Sequence, residues 1–313
     1  MDNLCHTLAG AALGESGLKR RAAMGTATLM IASNLPDIDV AVFATDTLAM
    51  SFRRGWTHGV LALAVLPALL AGVMLVWDRW RRRSNSARPR VDLQGLVLLS
   101  YVGTWLHVFM DWLNSYGVRL LKPFSDRWFY GDALYIIDPI LYVVFGAAII
   151  LSRVAAMRGD PEPRRWARRG LAVAAVYALL MLASNAWARA EVTTGLGRAG
   201  REGTRFMVTP VFGNPLRREV IVDVGERYEK GFLWFEPLPH FRPAGYGVPT
   251  SFGDPAVVQA TQHPRIQAFL MWSRFPFFVV ERTSAGTRVF VNDYRYSGPS
   301  AREGWATQSI TVQ

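Results

Sequence analysis

Four apolar stretches, set apart by arginine-rich segments, limit what this chain can fold into: Gly59 to Trp77, Leu93 to Leu113, Leu134 to Leu151 and Leu171 to Ala188. A helix crosses bilayer hydrocarbon in roughly 20 residues, and in lipid each backbone group must be bonded within its own element. Such stretches are therefore predicted to be membrane-spanning helices. A fifth, Ala22 to Phe43, is apolar except for the insertion Asn34-Leu-Pro-Asp-Ile-Asp39 and is expected to cross or to re-enter. Lys19, Arg20 and Arg21 follow the first weakly apolar stretch, the reverse of the order in a cleavable signal.

The net charge of +11 resembles that of a nucleic-acid-binding protein until the charges are located. Twelve arginines lie in two short segments between apolar runs: Arg79, Arg81, Arg82, Arg83, Arg88 and Arg90, then Arg153, Arg158, Arg164, Arg165, Arg168 and Arg169. Basic segments flanking spans set membrane orientation, so they are assigned to the cytoplasmic side and no nucleic-acid partner is called for. The partner is membrane lipid. Helix directions then alternate, which puts the loop from Asn114 to Ala133, and everything after Arg189, on the outer side. The single cysteine, Cys5, excludes an intrachain disulfide and any Cys-pair metal site.

From about Glu191 the texture changes to short alternating segments separated by Gly and Pro. Thr204 to Phe212, Arg218 to Val224 and Gly231 to Phe235 read as strands, Phe275 to Arg282 and Thr287 to Tyr296 as a hairpin turning at Ser284-Ala285-Gly286, and Pro255 to Trp272 as one helix. The expected architecture is mainly α: a polytopic bundle of four or five transmembrane helices over residues 1–190, then a small β-rich or α+β extramembrane domain over residues 191–313.

Ionisable groups at membrane depth are expensive unless paired or bound to something. Here they fall at the outer ends of separate helices. Asp37 and Asp39 end the first span, and His58 starts the second. His107 and Asp111, four apart and thus on one helical face, lie near the end of the third. His6 shares a face with Asp2, and Asp132 and Asp138 precede or open the fourth span. Imidazoles with carboxylates suit a divalent ion, zinc above all, as one or two ions. The predicted metal ligands are His6, Asp37, Asp39, His58, His107 and Asp111. Asp39 or Asp37 is the candidate proton acceptor, and Arg54, four residues before His58, a candidate stabiliser of developing negative charge. Asp132 is expected to cap the fourth helix, and Asp138 to support a histidine. Trp56, Trp105, Trp112, Trp128, Phe129 and Tyr130 read as an interfacial aromatic belt. His240 and His263 receive no role.

His6, Asn34-Leu-Pro-Asp-Ile-Asp39, Arg54-Gly-Trp-Thr-His58, His107-xxx-Asp111 with Asn114 and Gly117, and Gly131-Asp-Ala-Leu-Tyr-Ile-Ile-Asp-Pro139 together resemble the bacterial inner-membrane metal-dependent hydrolase family, also described as LexA-binding membrane-associated hydrolases. The resemblance covers residues 1–150, with Asn214-Pro-Leu and Trp272-Ser-Arg-Phe-Pro276 similar to the family's C-terminal half. The order His, Asp, His, HxxxD is more loosely similar to zinc-dependent phospholipase C. Two positions depart from the family pattern: Arg53 stands in place of a histidine and Gly59 in place of a serine.

These resemblances imply a membrane-bound hydrolase of an ester or phosphoester, with a lipid as the expected substrate, in the bacterial inner membrane with its C-terminal domain periplasmic. The alternative is a non-enzymatic scaffold or regulator with a structural metal. A transporter ranks behind both, because the fourth and fifth spans are almost wholly apolar below their outer ends.

Overall fold

The computed structural model describes residues 1–45, 48–84, 91–284 and 286–312. Arg88, Arg90, the turn residue Ala285 and the terminal Gln313 lie outside the described residues. Two units emerge: Met1–Ala41 with Arg54–Ser184, and Val42–Arg53 with Asn185–Gln313.

The first unit is a helix bundle. α1 (Asn3–Glu15) starts at Asp2, whose carboxylate accepts from the Leu4 and Cys5 amides. α2 (Gly25–Ala32) leads into a 3₁₀ segment, Leu35–Ala44, bent from it by 52°. The single-turn α3 (Ala49–Phe52) belongs to the second unit. α4 (Val60–Ser84), α5 (Leu93–Trp112), α6 (Pro139–Met157) and α7 (Arg164–Arg198) are each long and apolar enough to span a membrane. The four long runs and the broken first one thus match the expected spans. One boundary moves. Helix α6 begins at Pro139, because Asp138 caps it through the Ile140 and Leu141 amides; Leu134 instead bridges to Asn114. The cap expected of Asp132 therefore belongs to Asp138, and Asp132 sits in the left-handed region at φ +51°.

Helix α5 organises the bundle. Most of its buried residues, among them Leu96, Leu99, Ser100, Gly103, Thr104, His107, Val108 and Asp111, recur every three or four positions, tracing one stripe in which small and polar side chains interrupt the apolar ones. Lipid offers no hydrophobic drive between helices, so close packing through small residues takes over. A Cβ on Gly103 would lie 2.6 Å from the Ala32 Cβ, and one on Gly10 would lie 2.9 Å from the Leu29 carbonyl oxygen. Helices α1 and α5 thus both close on the last turn of α2. Where α2 breaks, Asn34 donates to the Met30 carbonyl and to Thr7 Oγ1, so the irregular backbone is satisfied within protein. The outer side of α4 (Leu61, Val65, Leu69, Val73, Val76) is exposed hydrocarbon, as lipid contact requires.

In the second unit, β1 (Phe206–Val211), β2 (Asn214–Asp223), β3 (Arg227–Phe235) and β4 (Pro239–Pro249) form an antiparallel meander. The segment predicted as one helix is two, α8 (Pro255–Ala260) and α9 (Pro264–Trp272). Pro264 takes the first position of α9, and His263 accepts the Arg265 amide as its cap. β5 (Pro276–Thr283), β6 (Gly286–Asp293) and β7 (Thr307–Val312) complete a three-stranded antiparallel sheet. Met207, Ile221, Tyr228, Val248, Phe275, Phe277 and Tyr294 form one core cluster of this unit. Beside it, the buried Asp293 carboxylate accepts from Arg295 Nε and Nη2 at 2.9 Å each and from Ser273 Oγ at 2.5 Å.

Two outcomes follow from these packings. Gly103→Val should destabilise the helical unit by about 1–3 kcal/mol through overpacking, read as a lower thermal midpoint of the purified protein. Burial pushes the Asp293 carboxyl upward, but the Arg295 charge and its hydrogen bonds outweigh that and hold it below the ordinary carboxylate range. A lowered folded-state value stabilises above the unfolded one, near pH 4, and the stabilisation fades as pH falls. The midpoint of the C-terminal unit should therefore drop in acid, and Asp293→Asn should be less stable at pH 7 and flatter with pH.

Candidate metal centre

Three elements deliver the central groups. His107 and Asp111 come from the last turns of α5 and share its inward face. His58 comes from the turn just before α4. Asp37 comes from the 3₁₀ segment after the break. All four side chains are buried. Each offers one donor atom, and those atoms lie within 4.8 Å of one another. His107 Nε2 is 3.2 Å from His58 Nε2, and each is 3.3 Å from Asp111 Oδ2. Asp37 Oδ1 is 3.9 Å from His58 Nε2 and 3.8 Å from His107 Nε2. Donors bound at about 2.0–2.2 Å to one tetrahedral centre stand about 3.3–3.6 Å apart; the His58, His107 and Asp111 atoms match that spacing and Asp37 Oδ1, at 3.8–3.9 Å, comes close to it, so the set suits a small divalent ion. The group could hold a metal ion.

The ring orientations agree with that fit. His107 Nδ1 lies 2.8 Å from the Ser33 carbonyl, which only accepts, so Nδ1 carries the proton and Nε2 keeps its lone pair for the cluster. His58 Nδ1 lies 3.0 Å from Thr57 Oγ1, whose hydroxyl donates to Asp39 Oδ2 at 3.1 Å. The Thr57 proton is committed to the carboxylate, so Oγ1 accepts from Nδ1 and the His58 Nε2 lone pair is also free. Asp39 Oδ2 additionally takes the Arg54 amide at 2.7 Å.

The predicted residues thus divide. Asp37, His58, His107 and Asp111 come together, whereas Asp39 stands at the far nitrogen of His58. In a 3₁₀ helix, residues two apart diverge by about 120°, which sends Asp37 and Asp39 to different sides of the imidazole. His6 stacks on His107, with centroids 3.8 Å apart, and its Nε2 reaches Asp111 Oδ1 at 3.3 Å, outside the four-atom group. Among the described residues Asp138 meets no histidine; it caps α6 and accepts Tyr177 Oη at 2.9 Å.

Arg54 is buried and held at φ +51°. Its guanidinium meets Asp111 Oδ1 at 3.1 Å, the Met1 carbonyl at 3.3 Å and Asn114 Oδ1 at 3.3 Å, above the Tyr116 ring. The Met1 amino group also contacts Asp111 Oδ1. The loop after α5 fixes this arrangement from outside the bundle: the Arg119 amide donates to the Arg54 carbonyl, and the Val60 amide to that of Leu120. This close approach also explains Gly59, where a side chain would meet the Lys122 carbonyl at 2.5 Å.

Ser33, Thr57 and Met1 were not singled out from the sequence. Ser33 and Met1 act partly or wholly through backbone atoms, which no side-chain pattern reveals. Thr57 was signalled only by its place beside His58. Of the predicted aromatic belt, Trp56 and Trp105 are exposed, whereas Trp128 stacks on Tyr130 beneath Arg119.

The model of the YdjM inner membrane protein family matches residues 1–190, which hold every residue of the cluster. Among curated proteins, the chain is similar to YfhP, an uncharacterized protein of Bacillus subtilis (strain 168). The two are 26% identical over 160 residues, 48% of this chain and 46% of that protein. The chain thus spans about half the length of that relative. No solved structure matches. With its bundle of apolar spans and the match over 190 residues, the chain belongs to the YdjM inner membrane protein family.

Proposed function

We propose that this protein is a membrane-bound, metal-dependent hydrolase of an ester or phosphoester, with a lipid at headgroup depth as the favoured substrate. The observation that carries the reading is the convergence of Asp37, His58, His107 and Asp111 with both Nε2 atoms left free to coordinate. A zinc-type ion held there would supply a water acidic enough to give hydroxide near neutral pH, as in phospholipase C-like chemistry. The chain's own groups divide the remaining work. Asp37, whose Oδ1 lies 3.9 Å from His58 Nε2 and 3.8 Å from His107 Nε2, is the carboxylate that takes the proton. Asp39, through Thr57, keeps the His58 ring in its tautomer and orientation. Arg54, already engaged with Asp111 and Asn114, acts as a positioning group that offsets the Asp111 charge. Asn114 Nδ2 is buried with no hydrogen-bond partner among the described residues, and supplies a donor for a substrate oxygen.

A second reading also has an observation in its favour. The four donors are all protein groups and nearly fully enclosed, which is how a structural metal site is built. In that case the ion ties α4, α5 and the broken span together in a scaffold. Metal analysis of the purified protein, with turnover measured on phosphoester and carboxyl-ester panels, separates the two. Hydrolysis is expected in the wild type. In His107→Ala and Asp111→Ala, metal should be lost and turnover should fall by about 10²-fold or more, while both variants still insert. Bound metal with no turnover on any substrate would establish the scaffold. Full metal content in both variants would refute the site itself.

We further infer that the cluster and the C-terminal unit face the periplasm. Lys19, Arg20 and Arg21 after α1, Arg79 to Arg83 at the end of α4, and the arginines between α6 and α7 all belong at the cytoplasmic side. A reporter active only in the periplasm, fused at the C-terminal end, should be active, and one active only in the cytoplasm should be silent. The opposite pattern reverses the orientation.

A further inference from the structure

At the basic end of the bundle, away from the metal centre, a groove of about 420 Å³ opens between the start of α2 and the second half of α4. Arg81 is roughly 30 Å along α4 from its first residue, at 1.5 Å per residue. Lys19 and Arg81 stand on the groove wall with Met74, Trp77 and Ile31. Its position follows from local packing: a Cβ on Gly25 would meet the Lys19 carbonyl at 2.5 Å, so the lysine backbone lies directly on the start of α2.

The charges of this wall do not cancel. Glu15 is shared between Lys19 and Arg153, one carboxylate against two cations. Arg81 has no carboxylate within ion-pair distance among the described residues. The nearest acid in sequence, Asp78, is buried and turns to the Val91 amide. Helix α2 also starts here with no side-chain cap, which adds positive potential. Beside these cations the wall is hydrocarbon. Trp77 and Ile31 are about half exposed, whereas Met74 is buried behind them.

A net positive, half-open groove with apolar walls, on the membrane-facing surface of a spanning helix, matches one class of ligand. We propose that it binds an anionic phospholipid, with the phosphate between Lys19 and Arg81 and an acyl chain along Trp77 and Ile31. Free phosphate would leave the apolar wall unused. A zwitterionic lipid would bring its own cation against the arginine. The site is independent of the metal centre and of whether that centre is catalytic.

The test uses the full chain purified in a neutral detergent. Its thermal midpoint is followed on titration with short-chain phosphatidylglycerol, with phosphatidylcholine of the same chain length, and with inorganic phosphate. Phosphatidylglycerol should raise the midpoint at concentrations where the other two do not. Arg81→Gln should weaken its apparent affinity about fivefold, the loss expected for one cation near a lipid phosphate. Trp77→Ala, at an exposed position that leaves charge and folding intact, should weaken it as well. Arg83→Gln, an exposed arginine that does not line the groove, should bind as the wild type does. An equal effect of phosphatidylcholine or of phosphate alone overturns the proposal. So does unchanged affinity in Trp77→Ala, or a loss in Arg83→Gln as large as in Arg81→Gln. Should Arg81→Gln fail to fold, the Trp77→Ala and Arg83→Gln pair decides the matter.

Discussion

A buried carboxylate is the constraint around which this bundle is arranged. Asp111 is fully enclosed near the end of a membrane-spanning helix, where an uncompensated charge costs several kcal/mol. The structure treats its two oxygens differently. Oδ1 is surrounded by the Met1 amino group, His6 and Arg54, while Oδ2 faces His58 and His107. With one oxygen held by these contacts, the other faces the imidazoles as a potential ligand atom. Arg54 is therefore more than a neighbouring positive charge: it holds Oδ1 in place and leaves Oδ2 turned to the two imidazoles.

Reaching that arrangement needs unusually close helices, and small residues provide it. Gly10 and Gly103 bring α1 and α5 onto the last turn of α2, and the break that follows exposes the Ser33 carbonyl just where His107 needs an acceptor. The polar break in an otherwise apolar run is thus part of the site's construction. It places Asp37 beside the imidazoles, and it supplies the backbone oxygen that sets the tautomer of one of them.

Much of this was legible in the residues. The spans are visible because lipid demands continuous apolar helices, and the HxxxD spacing on α5 leaves His107 and Asp111 only one shared face. Asp37 and His58 were legible as polar groups at the same ends of their helices. What stayed hidden depended on local backbone geometry. The division of labour between Asp37 and Asp39 depends on which side of the helical segment meets the His58 ring, since residues two apart diverge in 3₁₀ and α helices alike, and two aspartates in a short insertion do not announce which of them faces inward. The passing of the cap from Asp132 to Asp138 has a similar origin, since Leu134 to Ile137 are apolar enough to continue a helix, yet Leu134 bridges to Asn114 and α6 starts only at Pro139. In the C-terminal unit, the split into α8 and α9 was signalled by Pro264, which opens a helix far more readily than it continues one.

The donors of the cluster are separated by long stretches of chain, with residues 37 and 58 preceding α5 and residues 107 and 111 within it. During synthesis the first two enter the membrane while the third spanning helix is still unmade. No fragment ending before Asp111 can close the pocket, so Asp37 and His58 stay without their two partners until α5 arrives beside α2. Loading of an ion held there would thereby be a late event, tied to completion of the bundle rather than to the folding of any one segment, and a half-inserted chain would offer a metal only an incomplete set of ligands.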